Sequence, residues 1–214
     1  TMSNVSAELT KYAANCFLAT KISFMNEMAQ LCEATGANVE DIKLGIGSDP
    51  RVGSLFLNPG PGYGGSCFPK DVKALIHSAS QVGVDLHVVN AAETANEIAK
   101  NYAVTKLEKI IEGLHNRVIA IWGLSFKAQT DDIRESSSIR VCQALLDKKV
   151  KKIQIFDPEG ASNFMHEFSQ KNHCLVNCDD QYTALKGADA LIILTEWSHF
   201  KNANLTLVKN ELKD

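Results

Sequence analysis

Arg117–Ser138 reads RVIAIWGLSFKAQTDDIRESSS, and the change of rhythm inside it decides the fold. An unbroken apolar run of strand length ends at Gly123 and gives way to a charged stretch. A helical pattern then starts near Ser137 and runs to Lys148. A strand that is apolar on every residue is one buried on both faces, as in a parallel sheet covered by helices. The same run recurs downstream as KIQIFD (Lys152–Asp157), Cys174–Asn177 and ALIILT (Ala190–Thr195), with a further helix expected over Gln181–Lys186. Alternation of this kind predicts βαβ units and a doubly wound parallel sheet, in which ligands bind outside the carboxyl ends of the strands. The segment Gly123–Ser138 lies at such an end. Its Lys127, Asp131, Asp132, Arg134 and Glu135 read on their own as a wet loop or as ligand contacts.

Upstream of Arg117 the pattern is helical. A helix capped by Ser6 is predicted to run to about Ala34 and to end at Gly36, since Ala, Leu, Met, Lys and Glu dominate and no proline interrupts. One stripe of it reads Lys11, Asn15, Leu18, Ile22, Met25, Ala29, spaced four and three apart and so sharing a face. Its polar start is either a stripe leaving the core for solvent or an ammonium and an amide aimed at a ligand. A short helix over Asn38–Gly47, capped by Asn38, precedes a turn at Asp49, Pro50, Arg51 and Val52. Helices are predicted from Pro69 to about Val82, closed by Gly83, and from Leu86 to Leu114. Composition shifts at Gly113–Arg117, so the expected division is a helical domain over 1–114 and a sheet domain over 115–214.

Between the helices lies NPGPGYGGSCFPKDVKAL (Asn58–Leu75). Four glycines lead into Cys67, with Pro69 suited to the first turn of a helix. The helix N-terminus favours thiolate over thiol, and Lys70 and Asp71 bring a base and an acid within a few residues of the sulfur. The alternative is a surface turn with a structural cysteine. Gly60, Gly62 and Gly65 satisfy G-x-G-x-x-G, but no apolar strand leads into them, and Pro59 and Pro61 break the strand-turn-helix geometry that the dinucleotide fingerprint requires.

Composition narrows the classes. At 214 residues, with 45% hydrophobic and 22% charged residues and a net charge of −3, the chain has no basic excess for nucleic acid. No apolar run reaches bilayer length, and a cytoplasmic setting is expected. The six cysteines lack disulfide-framework spacing, and Cys174, Cys178 and His173 make at most half a metal site, so no metal is expected.

The run GYGGSCFPKD (Gly62–Asp71) resembles the active-site loop of the UDP-glucose 6-dehydrogenase family, within the wider nucleotide-sugar 6-dehydrogenases. AELTKYAAN (Ala7–Asn15) resembles the family's helix whose lysine and asparagine approach the reacting carbon, with Lys11 and Asn15 at the matching positions. GLSFKAQTDDIRESSS resembles the family's GLAFKxxTDDxRES motif, whose lysine contacts the nucleotide sugar and whose arginine contacts the NAD diphosphate. Lys127 and Arg134 match these, and Trp197, in TEW, fits the family as a packing residue.

The resemblance implies a fold and a role. The fold is α/β, an all-helical central dimerisation domain followed by a Rossmann-like doubly wound parallel-sheet domain. The implied activity is NAD-dependent oxidation of UDP-glucose to UDP-glucuronate in two hydride transfers. Cys67 forms the thiohemiacetal and then the thioester, Lys11 and Asn15 stabilise negative charge on the sugar oxygen, and Asp71 handles protons and orients the hydrolytic water. Asn58, Pro59, Gly60, Pro61, Gly62, Tyr63 and Gly64 line the UDP-sugar with Lys127. Arg51 reaches the substrate of a neighbouring subunit in a homodimer formed through the central helices. Cys67, Lys70 and Arg134 touch NAD. The family's N-terminal NAD domain and final strand segment are expected to be missing, which leaves the sheet domain C-terminally incomplete and this polypeptide alone inactive. Two rivals stand beside this reading: a sister enzyme acting on GDP-mannose or a UDP-N-acetylhexosamine, and a non-catalytic sugar-nucleotide-binding dimerisation module.

Overall fold

The structure, a computed structural model, describes residues 2–168 and 173–213. It is α/β, with a helical unit over Thr1–Lys100 and a second unit over Asn101–Asp214 that carries a four-stranded parallel sheet.

In the first unit α1 (Asn4–Thr35) is followed by α2 (Val39–Gly47), α3 (Phe68–Gln81) and α4 (His87–Ile110), which continues into the second unit. Ser3, not Ser6, caps α1: the Ser3 side chain accepts from the Ser6 amide at 3.2 Å. Gly36 closes it in the left-handed region, with its N–H bonded to the Cys32 carbonyl, the usual role of a glycine just past a helix end. Asn38 caps α2 as expected. Burial on α1 falls on Cys16, Ala19, Ser23 and Asn26, spaced three and four apart. Cys16 and Ala19 meet Tyr63 and Val72, with Leu75 and Val89 alongside, and this small core packs α1 against α3.

The second unit orders its strands β3-β2-β1-β4, where β1 is Val118–Trp122, β2 Lys152–Phe156, β3 Leu175–Asn177 and β4 Ala190–Ile193. All pairings are parallel, with Ile121 opposite Ile155 on one side and Ile192 on the other. Both faces are covered. Ile119 and Ile121 pack with α5 (Ser137–Asp147) and α6 (Ala161–Phe168) through Val141, Leu145 and Phe164. Val118, Ala120 and Trp122 face Leu185, Trp197 and Phe200. The chain order reverses between β1 and β4, which makes the carboxyl end of β1 the switch point of the sheet.

Some elements differ from expectation. The helix expected over Gln181–Lys186 is one 3-10 turn, Thr183–Leu185, because the Asp180 side chain ties up the amides of Tyr182 and Thr183 in a local cap. The segment expected to be helical to Leu114 stops at Ile110, and Glu112 and Gly113 then take positive φ. The units divide at Lys100/Asn101 inside α4, against an expected boundary at 114, because Val104 and Leu107 join the apolar core beneath the sheet. Helices α6, α7 (Ser198–Lys201) and α8 (Leu205–Glu211) were not anticipated.

Candidate active site

The site of the first unit is built around one carboxylate. Asp71 stands in the first turn of α3, and its side chain is fully buried. Oδ2 accepts from Lys11 Nζ at 2.6 Å and Asn15 Nδ2 at 2.5 Å, and Lys70 Nζ lies 2.7 Å from Oδ1. Lys11 and Asn15 are one helical turn apart on α1, so the helix presents both to the same oxygen. Burial pushes the Asp71 carboxyl up, but the Lys11 and Lys70 ammonium groups and the Asn15 amide together outweigh it and hold it at about 2. Asp71 is thus an anion at every physiological pH. Lys11 and Lys70 remain about half exposed, so their charge is available beyond the pair.

Cys67 is the cap residue of α3, one turn before Asp71, and its carbonyl accepts the Asp71 amide at 2.9 Å. It is the exposed cysteine of the six: Cys16, Cys32 and Cys142 are buried, and Cys174 and Cys178 are partly covered. Burial pushes up the thiols of Cys16, Cys142 and Cys178. The geometry therefore offers one exposed sulfur at a helix N-terminus.

Buried polar side chains back the glycine-rich loop. Asn26 Oδ1 accepts from the Gly60 amide at 2.8 Å. Asn96 takes the Tyr63 amide on Oδ1 at 2.7 Å and donates Nδ2 to the Tyr63 carbonyl at 3.3 Å. The Tyr63 hydroxyl donates to Glu93 at 2.5 Å, and burial, followed by this carboxylate, pushes the phenol up. Gly62 has φ +97, and a Cβ there would come within 2.9 Å of Asn96 Oδ1 and Lys100 Cγ. Only glycine fits that point. Asn58 Oδ1 accepts from Lys43 Nζ at 3.2 Å. Asn26 and Asn96 did not emerge from the sequence; the available signal was an amide on each helix at a position flanked three or four residues away by small residues, Ser23 for Asn26 and Ala92 and Ala99 for Asn96.

The other named residues occupy two matching turns. Arg51, exposed, forks onto Asp49 through Nε and Nη2, while its amide bonds Asp49 Oδ1 at 2.9 Å. Arg134 does the same with Asp132, with Nε to Oδ1 at 2.9 Å, Nη2 to Oδ2 at 2.7 Å and the amide to Oδ1 at 3.0 Å. Each guanidinium is thereby fixed yet largely open to solvent. Arg134 lines an open depression of about 480 Å³ with Thr130, Asp131, Asp132 and Asn163. Lys127 is exposed, with Nζ 5.4 Å from the centre of the Phe126 ring. Lys11, Asn15, Lys70 and Asp71 thus converge in the helical unit, and Lys127 and Arg134 share one segment of the sheet unit.

Residues 5–98 match the central domain of the UDP-glucose/GDP-mannose dehydrogenase family, and residues 120–214 match its UDP binding domain. The chain belongs to this family. Among the family's curated members, the UDP-glucose 6-dehydrogenase of Pseudomonas aeruginosa is 43% identical over 99% of the chain and 47% of that protein. That of Rickettsia conorii is 44% identical over 94% of the chain and 46% of its own length. A solved UDP-glucose dehydrogenase from Pyrobaculum islandicum superposes with a TM-score of 0.90 at 33% identity, covering 95% of the chain and 46% of that structure. A UDP-D-ManNAc dehydrogenase from Pyrococcus horikoshii superposes at 0.79 with 26% identity, over 97% of the chain and 46% of that structure. The chain spans about half the length of the curated relatives it matches.

Among the described residues no group of three His, Cys, Asp or Glu side chains could hold a metal ion, and no helix is long and apolar enough to cross a membrane.

Proposed function

We propose that this chain carries the nucleophile and the sugar-binding residues of an NAD-dependent UDP-glucose 6-dehydrogenase. The observation that carries the reading is the convergence of Lys11, Asn15 and Lys70 on Asp71, one helical turn from the exposed Cys67. In this reading the C6 alcohol loses a hydride and a proton to give an aldehyde, and the Cys67 thiolate adds to it as a thiohemiacetal. Loss of a second hydride and of the hydroxyl proton leaves a thioester, and one water cleaves it to the acid and the free thiol. NAD would supply the hydride acceptor, one molecule for each of the two transfers; the residues that would touch it are Cys67 and Lys70 in the helical unit and, in the sheet unit taken by itself, Arg134. Their fit lies in open cations and an open sulfur: the Arg134 fork is held by Asp132 and faces solvent, an arrangement suited to a diphosphate.

Lys11 and Asn15 stabilise the oxyanion at C6. Asp71 fixes both donors and orients the hydrolytic water; a carboxyl held at about 2 suits orientation better than proton storage. In the helical unit the loop Asn58–Gly64 is the candidate lining for the sugar nucleotide, and in the sheet unit taken by itself Lys127 is the candidate nucleotide-sugar contact. UDP-glucose is favoured over the sister substrates because the matched proteins named for it share 33–44% identity, against 26% for the UDP-D-ManNAc enzyme. A homodimer is part of the same reading: α1 leaves Val5, Leu9, Phe17, Phe24 and Leu31 exposed at spacings of four, eight, seven and seven, a stripe long enough to pair with a second copy.

The test is turnover in a polypeptide that joins this chain to a dinucleotide-binding domain. Cys67→Ser should abolish UDP-glucuronate formation because serine is a far poorer nucleophile near neutral pH. Acid formation at the unsubstituted rate would remove Cys67 from the mechanism, and a chain that binds UDP-sugars but never turns them over would favour the binding-module reading.

A further inference from the structure

Asp157 directly follows β2 at the carboxyl edge of the sheet and is buried, with 3% of its surface exposed. Its Oδ2 accepts from Leu124 N at 2.6 Å, Ser125 N at 3.2 Å and Trp197 Nε1 at 3.2 Å. Its Oδ1 accepts from Gly160 N at 2.7 Å, Glu159 N at 3.0 Å and Ser125 Oγ at 3.4 Å. Three donors therefore meet each oxygen, and they come from the three loops that follow β1, β2 and β4. Close backbone approach seals the junction. A Cβ on Gly123, at φ +90, would stand 2.6 Å from Thr195, and one on Gly160 would overlap the Ser125 hydroxyl.

Backbone N–H groups converging at the switch point of a doubly wound sheet form an anion seat, the place where such folds hold a ligand phosphate. Here a carboxylate of the chain itself fills it. The segment beyond is then pinned: Leu124 O accepts from Ser136 and Ser138, Ser125 O from Thr195, Asp132 O from Phe126 N, and Asn163 holds Asp131. Lys127 and Arg134 project from this pinned segment.

We propose that Asp157 is the positioning residue of the nucleotide-facing segment 124–134: its carboxylate occupies the anion seat from within and fixes that segment, so that ligand phosphates are met by the side chains of Lys127 and Arg134 rather than by backbone amides at the end of β1. The nucleotide clause rests on the proposed function above; the filling of the seat does not.

The experiment vacates the seat. In Asp157→Ala, amides of residues 124–134 should exchange with deuterium about tenfold faster or more, since a buried carboxylate that accepted several bonds is gone. Formate, a carboxylate small enough for the seat, should reverse this at constant ionic strength while chloride does not. An Ala variant that is unfolded in buffer should fold on adding formate. Asp157→Asn keeps one acceptor oxygen and should show a smaller local increase with no response to formate. Unchanged exchange at 124–134 in both variants, or acceleration spread evenly over the chain without formate-specific reversal, would overturn the proposal. UDP serves as the second probe. It should slow exchange around Lys127 in the unsubstituted chain and bind Asp157→Ala about tenfold more weakly, with formate restoring affinity; equal UDP affinity in both would overturn the positioning role. UDP without effect on the unsubstituted chain would count against the nucleotide reading alone, because the exchange and formate arms still decide what Asp157 does.

Discussion

Asp71 and Asp157 are both buried carboxylates, and they are satisfied in opposite ways. Asp71 is met by side chains, the ammonium groups of two half-exposed lysines and an amide. Asp157 is met mainly by backbone amides and an indole that cannot leave without moving three loops. Under the proposed function the first arrangement can be redistributed when a ligand arrives, Lys11 or Asn15 turning to an oxyanion while the other partners keep Asp71. The second cannot, because a backbone N–H left unpaired in the interior costs free energy that no side-chain rotation recovers.

The largest effect that would break this contrast is on stability. Asp157→Ala should cost about 3–5 kcal/mol, since it orphans several buried donors at once. Chemical denaturation measures it, and a loss below about 1 kcal/mol would mean that the loops close over water instead. Asp71→Asn should cost less, about 1–2 kcal/mol at neutral pH, because Lys11 and Lys70 are half exposed and can rehydrate. The sign of its pH dependence follows from the depressed carboxyl. Its ionised form contributes stability above pH 4, and that contribution disappears as pH falls toward 2. The gap between Asp71→Asn and the unsubstituted chain should close over that interval; a gap independent of pH would show that the ion pairs do not hold the carboxylate.

Lys11→Met sharpens the contrast from the other side. With one ammonium gone, burial gains ground and the Asp71 carboxyl should rise measurably from about 2 in a carbon-detected titration. The smallest effect is expected from Trp197→Phe. It removes the Nε1 donor from Asp157 while keeping much of the ring in its apolar setting, and should cost about 1 kcal/mol in thermal unfolding.

The sheet was legible because its strands carry few polar residues: VIAIW, KIQIF and ALII are runs that only a buried parallel sheet accommodates. The 3-10 turn at Thr183–Leu185 was not, since it depends on the Asp180 carboxylate competing for backbone amides, which periodicity does not register. At the site, Lys11 and Asn15 showed as a polar turn on an otherwise apolar stripe. Their convergence on Asp71, sixty and fifty-six residues later, needs the packing of α1 on α3. Asn26 and Asn96 were passed over because a buried amide that holds a loop looks, in one dimension, like any polar helix position. Asp157 followed by proline read as the end of a strand, and Trp197 as packing, although its indole N–H also completes the hub. Long-range hydrogen bonds from single polar residues leave no periodic trace, and these residues are of that kind.

Alkylation tests the central claim most directly, that the exposed thiol beside the Asp71 cluster is where a nucleotide sugar reacts. Iodoacetamide with peptide mass analysis ranks the six cysteines in the presence and absence of UDP-glucose. Cys67 is expected to label first, because it alone among them is exposed while burial pushes up the thiols of Cys16, Cys142 and Cys178. UDP-glucose should slow Cys67 and leave the labelling of Cys174 and Cys178 unchanged. Faster labelling of any other cysteine, or a Cys67 rate indifferent to saturating UDP-glucose, would contradict the account.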